Sequence, residues 1–591
     1  MREIRRILTA RDIKEYRALL SLCNLRDAES AYVIGLFKED GELVACGAAD
    51  GPIIKNVATS PLERETGAIN QIVTDLIYKI NEDGYSNAFV FTKPQNKAIF
   101  LSLGFNSIAM TSEVLLMERS NKGIAGFLED CPHGDGAIVM NANPFTNGHL
   151  KLVEEAASRC RHLVVFLVEE DVSIFSTDER MQMASLALKQ SRIKISGLVK
   201  GGQYIISMAT FPTYFLKKAD EANNEYSKLD ATIFAERIAP ELGIRTRFVG
   251  TEPLDMATAQ YNSNLRTILA DHGIDLVEIP RLESQGKVIS GSQVREFFAK
   301  DDLHSVAPLV PRSTYRYLYA LKLADLAGRS LIKEVEVTPK PGLVDMEHNG
   351  SHDDMDISTF RTSAAAIMPY FKQIAVFAIN SMMIETPSTL PQEIRQIGIK
   401  AEAAMMQATG GINAHKGAIF SLGTLLFCCS MALNQDKAVN TENIMELCRK
   451  CMRDEMDTMK SSTSLTHGEK VFARYNVGGV RMQASSGYPD AVAALQFFRK
   501  LKQSMNENDA LAWTTVYLIS RLDDTNIYSR SDLDTALWAR KEAAESLKHI
   551  DEGISVIRNL DTKFVSKNLS PGGSADLIAL VWFLNQVDKL S

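Results

Sequence analysis

Residues Ala137–Ser158 read AIVMNANPFTNGHLKLVEEAAS, an apolar run, an irregular turn and an amphipathic stretch in immediate succession. The pattern predicts a strand over Ala137–Met140, a turn at Asn143-Pro144-Phe145-Thr146, and a helix opened by Gly148-His149. A strand feeding directly into a helix is the joint from which α/β folds are built. At such a joint the free backbone N–H groups and the positive end of the helix dipole attract phosphate. Gly148 lets a ligand come close to the backbone, and a His in the first helical turn can donate to a phosphate oxygen. The same residues also fit an ordinary turn with a capping Asn or Thr.

Outward from this joint the chain divides into three parts, a multidomain arrangement. Residues 1–125 alternate helical and strand patterns: RDIKEYRALLSLC, AYVIGLF, ELVACGAAD, AINQIVTDLIYKIN and NAFVFT. The Gly/Pro/Asp-rich break DCPHGDG ends at Gly136, and a second α/β part runs over 130–312 through LVVFLVE, TRFVG and SQVREFFAK. From 316 to 591 strand-like runs disappear, and Ala, Met and Leu fill long 3.6-period stretches, which predicts an all-helical domain. A length of 591 residues with 45% hydrophobic and 23% charged residues calls for several cores, since one core stops growing near roughly 250–300 residues. Net charge is −8 with neither sign in a long block, so the electrostatic footprint of a nucleic-acid binder is missing. The expected ligands are small molecules or another protein. Eight Cys and the charged start MREIRR argue for a reducing compartment, with the cytoplasm as the expected location. The apolar stretch Ala418–Leu433 is shorter than the ~20 residues a bilayer span needs, and reads as a buried helix rather than a membrane segment.

Far along the chain a second polar loop enters a helix, Ile289-Ser290-Gly291-Ser292-Gln293-Val294-Arg295. Together with the first joint it resembles the paired signatures of the nucleotidyltransferase superfamily, a Rossmann-like α/β fold. Thr146 stands where that superfamily has the first His of His-x-Gly-His, and His149 is the second. Asn-Pro-Phe-Thr-x-Gly-His resembles the citrate lyase ligase family in particular, as do VEEDVSIFSTDERMQM with Phe175 and Arg180, GTEP at Gly250–Pro253, and TAQYN ending at Asn262. The resemblance implies activation of acetate by ATP and transfer of acetyl to a thiol on the acyl carrier subunit of citrate lyase. It assigns His149, Arg295 and a Mg²⁺ to charge on the phosphates. Ser290, Ser292 and the turn Asn143, Pro144, Phe145, Thr146 with Gly148 would hold the nucleotide. Arg180 either reaches phosphate or pairs with Glu179 or Asp178 on the surface.

In the first part, KNVATSPLERETGAINQIV and FTKPQNKAIFLSLGF resemble the acyl-CoA-binding half of a GNAT-type acetyltransferase, with Arg64, Gly67 and Ala68 loosely matching its pyrophosphate loop and Asn96, Ala98, Phe100 and Gly104-Phe105 its later helix and turn. With only one loop Gly the cradle is weak. Docking of the carrier's CoA-like arm is the expectation here rather than acetyltransfer.

In the helical part, Thr338–Asp345 (TPKPGLVD) predicts a Pro-punctuated turn exposing Lys340 and Asp345. Then Asn349–Asp356 (NGSHDDMD) gathers carboxylates beside His352. Such density fits hard-cation ligands with Mg²⁺ carrying phosphates, or a solvated acidic loop that caps a helix. With Gly411–Gly417 (GINAHKG), Thr466-His467-Gly468-Glu469, Asp524-Thr525-Asn526, Arg530 and Ser570–Asp576 (SPGGSAD), these loops resemble the triphosphoribosyl-dephospho-CoA synthase family. That family joins ATP to 3'-dephospho-CoA with release of adenine. The resemblance implies that Asp354 and Asp356 bind Mg²⁺ or face the ribose, and that Lys340, Lys416 and Arg530 neutralise the triphosphate. It implies proton transfer by His352, His415 or His467, any of which could instead cap a helix. Asp345, Asn413, Glu469, Arg481, Asp524, Asn526, Ser574 and Asp576 complete the expected nucleotide contacts. One departure stands out: Gln483 replaces an expected carboxylate. The reading is therefore a bifunctional maturation enzyme for citrate lyase; the alternatives are one active half, or an assembly scaffold. Cys448-x-x-Cys451 reads as buried packing.

Overall fold

The computed structural model describes residues 2–28, 30–63, 66–169, 174–205, 219–251, 256–284, 286–454, 474–475 and 477–590. It forms two compact units, residues 1–297 with 304–314, and 298–303 with 315–591.

The first unit holds two large sheets. In the first, strands β1 (Glu3–Arg6), β2 (Tyr32–Phe37), β3 (Leu43–Asp50), β4 (Ile53–Thr59), β5 (Ala88–Thr92), β6 (Asn106–Met110) and β7 (Leu115–Arg119) lie in the order β1-β2-β3-β4-β5-β7-β6. All pairs are antiparallel except β4 and β5, which run parallel and register only at Ile53–Phe89 and Ile54–Val90. The helix Ala68–Glu82 buries Ile72, Val73, Leu76 and Ile80. It lies so close to β3 that a Cβ at Gly47 would fall 2.7 Å from Ile72 Cγ2.

The second sheet is wholly parallel: β8 (Gly136–Met140), β9 (Leu163–Leu167), β10 (Gly197–Lys200), β11 (Thr246–Gly250) and β12 (Asp275–Ile279), in the order β10-β9-β8-β11-β12. Strand order reverses between β8 and β11, and ligands of open parallel sheets bind beyond the strand ends at such a reversal. Across the break Asp130 to Gly136 the two sheets belong to one compact unit. Phe89, Phe91 and Leu116 of the first sheet share one core with Ala137, Val164 and Phe166 of the second. Across the same contact Tyr204 donates to Glu118 Oε2 at 2.7 Å.

The second unit has helices and connecting loops and no strand among its described residues. Its helix Lys416–Asn434 carries the apolar stretch and buries every residue from Ser421 to Asn434. By length and composition this helix and Ile357–Asn380 could cross a membrane; 89% of the apolar window in Lys416–Asn434 is buried inside the protein. Asn434 Nδ2 and Ser430 Oγ donate to the Ala378 and Ala375 carbonyls, which fixes it against Ile357–Asn380. Cys428, Cys448 and Cys451 are buried free thiols, with Cys428 Sγ and Cys451 Sγ 3.6 Å apart.

Candidate active sites

In the first unit the site grows from the end of β8. The helix Asn147–Arg159 is capped by Thr146, whose hydroxyl accepts the His149 N–H at 3.4 Å, while the Thr146 N–H donates to His149 Nδ1 at 3.0 Å. This is a capping box with His in the usual place of Glu. The turn therefore does have the ordinary capping role, and that role sets the chemistry of the His. Burial, and then the Arg281 charge, bring the imidazole down to about 4, so it is neutral near pH 7. With Nδ1 accepting a backbone N–H, the proton sits on Nε2, free to donate.

The two distant motifs meet. Arg295, on the helix Gly291–Ala299, donates from Nη1 to the Asn143 carbonyl at 2.5 Å. A Cβ at Gly291 would fall 2.6 Å from that same oxygen, and one at Gly148 would fall 3.7 Å from the Ile289 carbonyl oxygen. Ser290 and Ser292 share a hydroxyl hydrogen bond of 2.9 Å, and Ser290 caps the helix through Gln293 N at 3.3 Å. Asn143 Oδ1 is buried with no hydrogen-bond partner in the protein. Phe145 is buried, 5.7 Å from the His149 ring, and Pro144 is buried beside it. Asn262 Nδ2 reaches the Gly250 carbonyl at 3.3 Å, at the end of β11.

Arg180 follows neither expectation. It is fully buried, with Nη1 donating to the Asn141 carbonyl, Asn141 Oδ1 and the Val168 carbonyl at 2.8–2.9 Å, and Nη2 to Thr177 Oγ1 at 2.8 Å. It ties the ends of β8 and β9 together from within, because carbonyls at strand ends lack ladder partners. Arg281, beside His149, had no signal in the sequence: it is one cation in an unremarkable loop.

In the second unit several loops converge on a cavity of about 810 Å³. Its wall includes His352, His415, Lys416, Arg481, Asn526 and Arg530. His415 is buried; Ser363 Oγ meets its Nδ1 at 2.7 Å, Phe360 stands edge-on at 5.0 Å, and its Nε2 has no protein partner. Burial, then Lys340, bring this imidazole down to about 3. His352 is half-buried between Ser570 Oγ at Nε2 (2.8 Å) and Arg530 Nη2 at Nδ1 (3.2 Å), and burial lowers its pKa. Lys416 pairs with Glu402, and Asn413 accepts the Lys416 N–H.

Several expectations need correcting. Lys340 and Asp345 are not exposed. Lys340 is 1% exposed with Nζ on Glu334 Oε1 at 2.5 Å, and Asp345 accepts the N–H groups of Lys340, Glu347 and His348, stapling its own loop. Asp354 and Asp356 do not line the cavity. Asp356 caps the helix Ile357–Asn380, accepting from Thr359 N at 2.8 Å and Thr359 Oγ1 at 2.9 Å, and these bonds hold its carboxyl low. The Asp354 side chain is 64% exposed, 3.5 Å from His352. The acidic loop is thus a solvated cap, and among the described residues no three His, Cys, Asp or Glu side chains gather as a metal site. Asp524 accepts Asn526 N, Gly573 N, Ser574 N and Ser574 Oγ, and so ties two helix starts together. Gln483 donates to Asp490 Oδ2 at 2.7 Å, and its own Oε1 is buried without a partner. Arg64, Glu252, Pro253, His467 and Glu469 lie outside the described residues.

A parallel sheet whose reversal point carries the Thr146-capped helix and the Arg295 contact, joined in one chain to a helical unit with a cavity walled by acids, histidines and cations, defines a two-centre enzyme. Residues 135–318 match the family described as the citrate lyase ligase C-terminal domain, and residues 320–591 match ATP:dephospho-CoA triphosphoribosyl transferase. The chain is 42% identical over 296 residues to a citrate (pro-3S)-lyase ligase of Escherichia coli, covering 48% of this chain and 83% of that one. It is 32% identical over 289 residues to a 2-(5''-triphosphoribosyl)-3'-dephosphocoenzyme-A synthase of Escherichia fergusonii, covering 47% of this chain and 95% of that one. Among solved structures, an Escherichia coli ribosomal-protein-S18-alanine N-acetyltransferase aligns at TM-score 0.17 and 17% identity, over 20% of this chain and 93% of that one. The chain belongs to the citrate lyase ligase family and, through its second unit, to the triphosphoribosyl-dephospho-CoA synthase family.

Proposed function

We propose that the first unit activates acetate with ATP and passes the acetyl group to the prosthetic-group thiol of the citrate lyase acyl carrier subunit, and that the second makes the precursor of that same prosthetic group from ATP and 3'-dephospho-CoA. The observation that carries the ligase reading is the meeting of Arg295 with the Asn143 turn. Acetate is anionic at neutral pH, so attack on the α-phosphorus needs no general base. Rate then comes from in-line positioning and charge neutralisation. His149 donates from Nε2 to a phosphate oxygen, Arg295 and Arg281 supply positive charge, and Ser290, Ser292 and the Asn143–Gly148 turn hold the nucleotide. Thr146 sets the His149 tautomer.

In the synthase half a cavity of about 810 Å³ is at the upper end of the roughly 300–1,000 Å³ of small-molecule sites, which suits two nucleotides better than one. Lys416, Arg481 and Arg530 are assigned to the triphosphate, and Asn413, Asn526 and His415 to the sugar and base. Asp345, Asp524 and Ser574 shape the loops that present them. Gln483, whose amide meets Asp490 where an acid was expected, leaves either that acid dispensable or this half weakened, and the Asp490 contact favours the first.

The first sheet is assigned to docking of the carrier's CoA-like arm. Gly67, in the left-handed region at φ 77°, opens the helix Ala68–Glu82 without a side-chain cap. Deleting residues 1–125 would strip the shared core, so Gly67→Glu is the cleaner perturbation, expected to raise the KM for carrier and leave pyrophosphate exchange alone.

Both activities are tested on the intact chain, by acetate-dependent exchange of pyrophosphate into ATP and by adenine release from ATP with dephospho-CoA. Absence of either product removes that half of the reading.

A further inference from the structure

Five acids line the synthase cavity: Glu334, Glu402, Asp523, Asp524 and Asp576. Four are committed elsewhere. Glu334 holds Lys340 at 2.5 Å, Glu402 pairs with Lys416, Asp523 binds Arg540 at 2.7 Å, and Asp524 accepts four donors from the protein. Asp576 differs. Among the described residues it accepts the Ala418 N–H and has no cationic partner. Its Oδ2 lies so close to the backbone that a Cβ at Gly417 would overlap it. The Gly at 417 is what allows this carboxyl into the wall, at the start of the helix Lys416–Asn434.

On the reading that this cavity is the synthase site, we propose that Asp576 is the general acid that protonates the departing adenine. The proton passes from the Asp576 carboxyl to N7 of the purine. The C1'–N9 bond breaks with its electron pair going to adenine, and a ribose hydroxyl of dephospho-CoA forms the new bond to C1'. The hydroxyl proton leaves to water, from which Asp576 is protonated again. Atoms and charge balance without a further reactant. Burial, with Glu334 and Asp524 as neighbouring acids, pushes the Asp576 carboxyl well above the usual carboxylate range, so it keeps a proton to give. His415 is a poor donor by comparison: it is neutral, and its imidazole N–H is a far weaker acid than a carboxyl.

The test compares ATP with N7-methyl-ATP, whose purine is already cationic and leaves without protonation. In Asp576→Asn, adenine release from ATP should fall by ~10²–10⁴-fold, the usual range for loss of a general acid, while release of 7-methyladenine stays near the wild-type rate. Gly417→Ala, which pushes the same carboxyl aside, should give the same selective loss and serves if the first variant does not fold. Equal losses on both substrates, or no loss on ATP, overturn the assignment. No adenine release by the wild-type chain overturns the synthase reading itself, and the proposal with it.

Discussion

Gly291→Ala is a single methyl group directed at the contact on which the ligase site depends. Its Cβ would lie 2.6 Å from the Asn143 carbonyl oxygen, 3.2 Å from the carbonyl carbon and 3.4 Å from Arg295 Nη1. A close carbon-to-oxygen contact is ~3.3 Å, so the two loops must part by roughly 0.7 Å. The two nearest of these atoms are backbone, which cannot turn aside as a flexible side chain would. Overpacking of this kind costs about 1–3 kcal/mol. The 2.5 Å bond from Arg295 to the Asn143 carbonyl is stretched at the same time, and a bond to a charged group contributes about 1.5–3 kcal/mol. Since ~1 Å of misplacement can cost ~10²-fold in rate, acetate-dependent pyrophosphate exchange should fall by about 10- to 100-fold. The second unit supplies an internal control: adenine release by the same chain should stay within about twofold. Unchanged exchange would refute the reasoning, and so would a parallel fall in both activities. Gly148→Ala makes the contrast, because its nearest neighbours would be at 3.5 and 3.7 Å. It should fold at least as well as wild type, by about 0.5–1 kcal/mol. A raised KM for ATP in that variant would mark the nucleotide's approach to this backbone.

Arg180→Ala removes the buried guanidinium that bonds the Asn141 and Val168 carbonyls and Thr177, and should destabilise the first unit by about 1–3 kcal/mol, visible as an earlier unfolding transition with adenine release retained; an unshifted transition would contradict the structural role. Asp354→Asn should leave adenine release within about twofold, because its carboxylate is solvated and off the cavity wall; a large loss would return it to the reaction centre. Gln483→Glu would set two carboxylates face to face at Asp490, so thermal stability should drop and adenine release should not rise; a gain in rate would mean the acid is functional after all. The folded chain holds His415 near 3 against 6.5 in the unfolded chain, so its contribution to stability is full above pH ~6.5 and is lost as pH falls through that value toward 3. Asp576, Glu334 and Asp524, raised by burial, slope the other way. The measurement is therefore the difference between wild type and His415→Gln in urea midpoints at pH 7.5 and 5.0, and equal differences at the two pH values would count against a buried neutral imidazole.

Local order was legible in the chain because its causes are local. A strand, a Thr cap and a His three residues after it lie close together in the chain, so Ala137–Ser158 carries the α/β joint and the capped helix start in its own spacing. The helical texture after 316 and the buried run Ala418–Leu433 follow from apolar periodicity in the same way. Residue-by-residue roles were another matter. In the sequence Asp354 and Asp356 looked like the acidic centre and Lys340 like an exposed cation, because density and loop setting are all that spacing reveals. Tertiary packing decided otherwise. Asp356 is held by the helix it caps, Lys340 is drawn inside onto Glu334, and the cavity acid that, among the described residues, has neither a cation nor a set of N–H donors like that of Asp524 is Asp576, brought against Gly417 from the far end of the chain. Whether a carboxyl is solvated, paired or left protonated depends on which distant elements close over it, and only the folded chain determines that.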